Sequence, residues 1–397
     1  MTAGGLDVVA VRRDLHAHPE LAFAEHRTTA VIIDVLRGAG LAPQPLPSGT
    51  GVVCDIGPDD GSGPLIALRA DIDALPIQDL TEVPYRSRIG GACHGCGHDA
   101  HTAILLGAAT RLAQLSLPGT VRLVFQPAEE SLPGGALTVL AAEVLDGAQQ
   151  IFALHCDPRL EAGRIGVRVG PITAACDQVE VVLTGRGGHT ARPHLTVDLV
   201  YALGLLITEL PGLLSRRVDP RAALSFVWGA VEAGQATNVI PSTGRLRGTL
   251  RVFDRTAWHA AEPMTRELIS QIVQPTGARV ETSYVRGVPP VVNDPSAVAV
   301  QRAAVLAGLG PDALAGTEQS MGGEDFAWYL DKVPGAMARL GVRPPGGEPF
   351  DLHQGTFDID ESALDVGVRY TVALAQAALD SARGTALGTG RGATPAG

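Results

Sequence analysis

The run Cys93-His94-Gly95-Cys96-Gly97-His98-Asp99-Ala100-His101 decides how this chain is to be read. Cys96 and His98 stand two residues apart beside glycines that let the backbone turn tightly, and a helical apolar spacing follows from Asp99 to Leu115. A loop rich in metal-ligating residue types therefore opens straight into a helix. Downstream, the apolar run Thr120 to Phe125 leads into Pro127-Ala128-Glu129-Glu130, and Ile151 to Leu154 leads into His155. Upstream, Val52 to Ile56 and Leu65 to Ala70 are runs of the same kind, the second followed by Asp71 and Asp73. Short continuous apolar runs fit strands covered on both faces. They alternate with helical patterns at Leu6 to Leu15, at Glu25 to Ala39 (stopped by Gly40), and at Ala136 to Leu145. The expected fold is α/β, a doubly wound, mainly parallel sheet. Such sheets form their sites beyond the carboxyl ends of the strands, which is where Asp71, Asp73, Glu129, Glu130 and His155 fall.

From about Ile172 the texture changes. Strand patterns at Gln178 to Leu183, Ala222 to Val231, Gly244 to Phe253 and Ala278 to Tyr284 interleave with helical ones at Thr196 to Leu214 and Thr256 to Ile272. The order β-α-β-β-α-β is that of a ferredoxin-like α+β domain. Helical patterns at Pro295 to Leu306 and Glu361 to Leu379 then return to the first texture. The reading is a host domain of 1–171 and 290–397 with 172–289 inserted, and a disordered tail from about 384 to 397.

Composition narrows the function. The 397 residues exceed one ordinary core, and 45% hydrophobic with 18% charged residues excludes global disorder. A net charge of −11 with no cluster of basic residues argues against a nucleic-acid partner. No uninterrupted apolar run approaches the roughly 18 residues of a membrane span, and Met1 to Asp7 has no basic or apolar leader pattern, so a cytoplasmic protein is expected. The five cysteines are odd in number and scattered, which points to reduced thiols.

Thiolate, imidazole and carboxylate together are the ligand types that borderline divalent ions take, and a spare carboxylate beside a ligand can shuttle protons in hydrolysis. Each residue also has an ordinary reading. Glu129-Glu130 could be solvated charge, His155 a core histidine and His353 a loop residue. Cys93 and Cys96 are a C-x-x-C pair, so a redox role stands as an alternative. The coincidence of several such groups at one sheet edge favours a metallohydrolase.

The chain also resembles a known family, the amidohydrolases of the aminoacylase/carboxypeptidase type of zinc metallopeptidases. The nearest group holds hippurate hydrolases, auxin-conjugate hydrolases and N-acetyl-diaminopimelate deacetylases. The markers are His16-Ala17-His18-Pro19-Glu20-Leu21, Arg69-Ala70-Asp71-Ile72-Asp73-Ala74-Leu75-Pro76, Cys96-Gly97-His98-Asp99 and Gln126-Pro127-Ala128-Glu129-Glu130. Gly187-Gly188-His189, Asn238-Val239-Ile240-Pro241 and Gly322-Gly323-Glu324-Asp325-Phe326 complete them. The resemblance implies Cys96, His98, Glu130, His155 and His353 as ligands of two divalent ions (zinc, manganese, cobalt or nickel), with Cys96 bridging. It implies Glu129 as general base, and Asp71 and Asp73 as orienting groups behind the ligands. It further implies an inserted domain that is both lid and dimerisation module, with His189 completing the site of the partner subunit, and Asn238 and Arg251 holding a substrate carboxylate. The expected substrates are N-acyl amino acids or related small conjugates, with a dipeptidase or carboxypeptidase as the alternative. Two positions depart from the family pattern: Cys93 replaces a methionine, and Cys156 a hydrophobic residue directly after a ligand.

Overall fold

The computed structural model describes residues 5–58, 60–348 and 350–389. Its contacts divide the chain into two compact units, one of 1–170, 292–318 and 328–397, the other of 171–291 and 319–327.

The first unit opens with α1 (Val8–Ala17) and α2 (His26–Gly38), then β1 (Gln44–Pro45), β2 (Val52–Ile56), β3 (Leu65–Asp71), α3 (His98–Leu112), β4 (Thr120–Gln126), α4 (Ala136–Ala141), β5 (Ala148–Glu161) and β6 (Ile165–Val167). Asp7 caps α1 by accepting the Ala10 amide at 2.9 Å, and Gly40 takes the left-handed φ of 79° after α2. The second unit supplies β7 (Ala175–Thr184), α5 (Leu199–Arg217), β8 (Ser225–Ala233), β9 (Thr243–Val252), α6 (Arg255–Val273) and β10 (Arg279–Val288). The chain then adds α7 (Pro295–Gly308), β11 (Leu314–Gly316), β12 (Gly335–Arg343) and α8 (Ser362–Thr389) to the first unit.

The large sheet runs β1-β2-β4-β3-β5-β12-β6-β11, and its centre β4-β3-β5-β12 is parallel throughout. The β2–β4 and β12–β6 pairs are antiparallel, so the sheet is mixed. Register places Asp71 opposite Gln126 at the carboxyl ends of β3 and β4, and His155 opposite Arg339 across β5 and β12. Helix α3 packs on this sheet and against α1 and α8, and is apolar nearly all round because almost every side is covered. Gly107 permits that approach, since a Cβ there would lie 2.7 Å from Val8 and 2.8 Å from Val368.

Several expected boundaries move, among them three with a bearing on the site and the tail. Helix α4 stops at Ala141 and not near Leu145, because Glu143 adopts a φ of 55°, which no helix accommodates. Strand β5 continues to Glu161, so His155 lies within a strand, at the level where the neighbouring β3 ends. Of the expected disordered tail from 384, α8 covers the part to Thr389, and 390–397 lie outside the described residues.

In the second unit the sheet order is β8-β9-β7-β10, every pair antiparallel, with α5 and α6 packed against it. Asp198 and Asp254 cap these helices through the amides of Tyr201 and Ala257. Helix α5 is the one described helix long and apolar enough to cross a membrane by length and composition. It nonetheless carries Glu209, and Leu203, Leu206, Leu210 and Leu214 are buried.

Candidate metal centre

Gly97 has a φ of 87° and caps the start of α3. A Cβ there would meet Cys156 Sγ at 2.9 Å, so both its conformation and its space exclude other residues. This turn sets Cys96 just before the helix and His98 in its first position. Glu129 and Glu130 follow β4 through Ala128, whose φ of 56° is held by its amide donating to Glu25 Oε1 at 2.8 Å. His353, itself at φ 60°, is fixed by its amide donating to the Gly95 carbonyl at 2.7 Å.

The fold thereby brings together donors that are far apart in sequence. Cys96 Sγ lies 3.5 Å from His155 Nε2. His98 Nε2 lies 3.9 Å from Glu129 Oε2 and 4.0 Å from Glu130 Oε1. His353 Nε2 lies 3.2 Å from Glu130 Oε1. Four overlapping groups in the first unit have donor atoms mutually within 4.8 Å: Cys96, His98 and His155; Cys96, Glu130 and His353; His98, Glu129 and Glu130; and Asp71, His98 and His101. The second imidazole nitrogen of each buried ligand candidate is already engaged. His98 Nδ1 sits 2.9 Å from the Asp73 carbonyl oxygen and 3.2 Å from Asp73 Oδ1, and His155 Nδ1 sits 2.7 Å from the Cys156 carbonyl oxygen. That arrangement leaves each Nε2 facing the cluster. His98 Nε2 is buried without a hydrogen bond, 3.6 Å from Asp71 Oδ2, and Glu130 Oε1 meets only His353 Nε2. Buried polar atoms are seldom left so, and these residues fit a cation.

The electrostatics point the same way. Burial favours a neutral His98, but Asp71, Asp73 and Glu130 outweigh it and raise its pKa from 6.5 to about 10. The acidic cluster thus demands positive charge at this point. His155 is instead held well below its usual range by burial, with Arg339 and His101 adding to the effect, so it is a neutral imidazole suited to ligation. Burial opposes ionisation of Asp71, yet His98, Arg69 and His101 keep it a carboxylate.

Some expected residues have partners that the sequence did not suggest. The imidazole that hydrogen-bonds Asp71 is that of His101, at 2.5 Å, while His101 Nε2 accepts the Cys156 amide at 2.8 Å. Arg69 donates to Asp71 Oδ2 at 2.6 Å and to Gln126 Oε1 at 2.9 Å, and Tyr329 donates to the same Gln126 oxygen at 2.8 Å. His101 could have been found from its place one turn after His98 on the same helix, whereas nothing local marks Arg69 or Gln126. His94 joins none of the converging donor groups found among the described residues, and burial lowers its pKa to about 4. All five cysteines are free thiols. Burial raises Cys93 to about 11 and pushes Cys156 well above the ordinary thiol range, so both stay protonated.

His189, Asn238 and Arg251 all belong to the second unit. His189 pairs with Val239 in a two-strand ladder, and the Thr190 amide donates to the Asn238 carbonyl at 3.2 Å, so the first two are neighbours and both are exposed. Arg251 pairs with Cys176 across β9 and β7, and its guanidinium donates to the Met321 carbonyl.

The pattern described as Peptidase family M20/M25/M40 matches residues 67–377. The chain belongs to this family. It is 40% identical over 379 residues to an N-acetylcysteine deacetylase of Bacillus subtilis (strain 168), covering 94% of this chain and 97% of that one. A crystal structure of a Bacillus subtilis protein described as a dinuclear metal binding peptidase of the M20 family matches with a TM-score of 0.82 at 38% identity, covering 94% of this chain and 98% of that one. A Rhodococcus jostii (strain RHA1) protein, provisionally named glutamate–cysteine ligase 2-3, is 54% identical over 367 residues. This match covers 92% of this chain but 46% of that protein, so the chain spans about half the length of that relative. M20 membership places the chain among hydrolases of the metallopeptidase type, whose curated relatives include proteins named deacetylase, amidohydrolase and carboxypeptidase.

Proposed function

We propose that this protein is a dinuclear metal-dependent amidohydrolase that cleaves the amide bond of N-acyl amino acids or related small conjugates. The observation that carries the reading is the convergence of Cys96, His98, Glu130, His155 and His353, with His98 Nε2 buried without a hydrogen bond and Glu130 Oε1 facing His353 Nε2 at 3.2 Å. These five residues would hold two divalent ions, zinc, manganese, cobalt or nickel. When bound, such ions polarise a carbonyl and lower the pKa of water towards about 7. Glu129 takes the proton from the attacking water and delivers it to the leaving nitrogen, which suits a carboxylate only 8% exposed and 3.9 Å from His98 Nε2. Asp73 holds the His98 ring through Nδ1, and Asp71 acts through His101 and Arg69. His189 is assigned to stabilise the developing oxyanion, and Asn238 and Arg251 to hold the substrate carboxylate.

The second unit is read as an inserted ferredoxin-like lid and the seat of a homodimer. Strand β8 is a sheet edge with Val227 59% and Val231 58% exposed, and α5 exposes Val200 and Tyr201. An exposed apolar edge is what a second copy would cover. We place the protein in the cytoplasm, where free thiols persist. The relatives named carboxypeptidase, 33% identical, favour cleavage of a peptide bond at the same centre as the second reading. The test is a panel of N-acyl amino acids and dipeptides, assayed after chelator stripping and reloading with each ion. Activity that survives complete stripping excludes metal dependence, and turnover confined to substrates with a free α-amino group selects the peptidase.

A further inference from the structure

Arg12 lies on α1, outside the donor set, yet its side chain is fully buried and touches both segments that carry donors. Its Nε donates to Asp99 Oδ2 at 2.8 Å, and Asp99 directly follows His98 at the start of α3. Its Nη2 donates to Asp358 Oδ1 at 2.8 Å, in the loop that continues from His353. Each arm is reinforced. His16, one turn further along α1, reaches the same Asp99 oxygen at 2.7 Å, and the Tyr85 hydroxyl donates to Asp358 Oδ2 at 2.9 Å while the Tyr85 ring lies 5.2 Å from the guanidinium carbon.

A guanidinium taken wholly out of water is costly unless its hydrogen bonds are well made. Its planar fork fixes the direction of each N–H, so two carboxylates gripped by one arginine are held at a set spacing. Lysine, a point charge on a flexible stem, cannot do this. The proton chemistry above makes no use of Arg12, and Arg12 makes no contact with the donor atoms themselves.

We propose that Arg12 is a positioning residue that fixes the Cys96–His98 segment against the His353 loop, so that ligands from both segments are preset at one spacing before a cation arrives. The inference rests on the metal-centre reading above.

The experiment is a cobalt(II) titration of the chelator-stripped full chain, followed by stoichiometry and by the thiolate-to-cobalt charge-transfer band that Cys96 would give. In Arg12→Lys the uptake midpoint rises about 10- to 100-fold, the range for losing a group behind a metal ligand. In Asp358→Asn, which removes the negative charge that Arg12 and Tyr85 hold on the His353 side, one equivalent weakens by a similar factor while the other keeps its wild-type midpoint. Arg13→Gln is the control, since Arg13 pairs with Glu361 at 2.6 Å and is 47% exposed, and its midpoints stay at the wild-type values. If Arg12→Lys does not fold by circular dichroism, Asp358→Asn decides alone. Unshifted midpoints in the folded variants, or an Arg13→Gln shift as large as that of Asp358→Asn, overturn the inference while the metal centre stands. Wild-type protein that takes up no cobalt overturns the metal centre itself, and this inference with it.

Discussion

Asp177 in the second unit and the Asp71–His98–Glu130 cluster in the first are both polar groups deep in a protein interior, and they are treated in opposite ways. Asp177 is 0% exposed and fully answered: Trp258 Nε1 donates to both of its oxygens at 3.0 Å, the Tyr284 hydroxyl at 2.6 Å and the Gly287 amide at 3.0 Å. At the sheet edge of the first unit the buried His98 Nε2 has no hydrogen bond, lying 3.6 Å from Asp71 Oδ2 and 4.0 Å from Glu130 Oε1, which itself meets only the imidazole of His353 at 3.2 Å. A saturated buried carboxylate is a structural joint, here tying β7 to α6 and to the irregular end of β10. An unsaturated cluster with excess negative charge is the arrangement that a bound cation would complete, as proposed above.

Four substitutions break or sharpen that contrast, taken from the largest effect down. Glu129→Gln lowers kcat by about 10²- to 10⁴-fold, the usual contribution of a general base, with metal content by elemental analysis unchanged. Near-wild-type turnover in a metal-loaded variant would remove Glu129 from the mechanism. Cys96→Ala weakens metal uptake at least about 100-fold, beyond the range for groups that only support a ligand, and activity falls with it. Two tightly bound ions per chain in that variant would exclude Cys96 as a ligand. Asp177→Asn acts on the saturated side. It lowers folding stability by about 1–3 kcal/mol in urea unfolding and leaves metal stoichiometry intact, whereas a loss of metal at full stability would erase the distinction drawn here. Cys156→Ala is the smallest, costing about 1 kcal/mol or less through the small cavity left, with both ions retained. A changed metal preference in it would show that the thiol beside His155 does more than fill space.

The candidate donors were legible in the sequence because residue type and spacing are local matters. Cys96-Gly97-His98 and Glu129-Glu130 announce themselves by residue type, spacing and position after a strand. The groups that aim them were not legible. Glu25 holds the Ala128 amide from 103 residues away, and Arg12 meets Asp358 across 346, yet in the sequence each looks like any charge on a helix. His101 stood inside the opening run, but only the tertiary structure shows that it serves Asp71 and the Cys156 amide. The apolar runs marked β2 to β5 along the chain, while their order in the sheet and the length of β5 were not marked, since pairing with β12 carries β5 past the residues its own apolar pattern marks.

By itself, then, the sequence determined the α/β class, the change of texture near residue 172 and the chemical types available at the sheet edge, since periodicity and residue chemistry are properties of short windows. Only the tertiary structure decided which of those groups meet, which nitrogen of each imidazole faces the cluster and which buried charges are answered. Those outcomes depend on contacts between segments tens to hundreds of residues apart, and no local pattern encodes the partner.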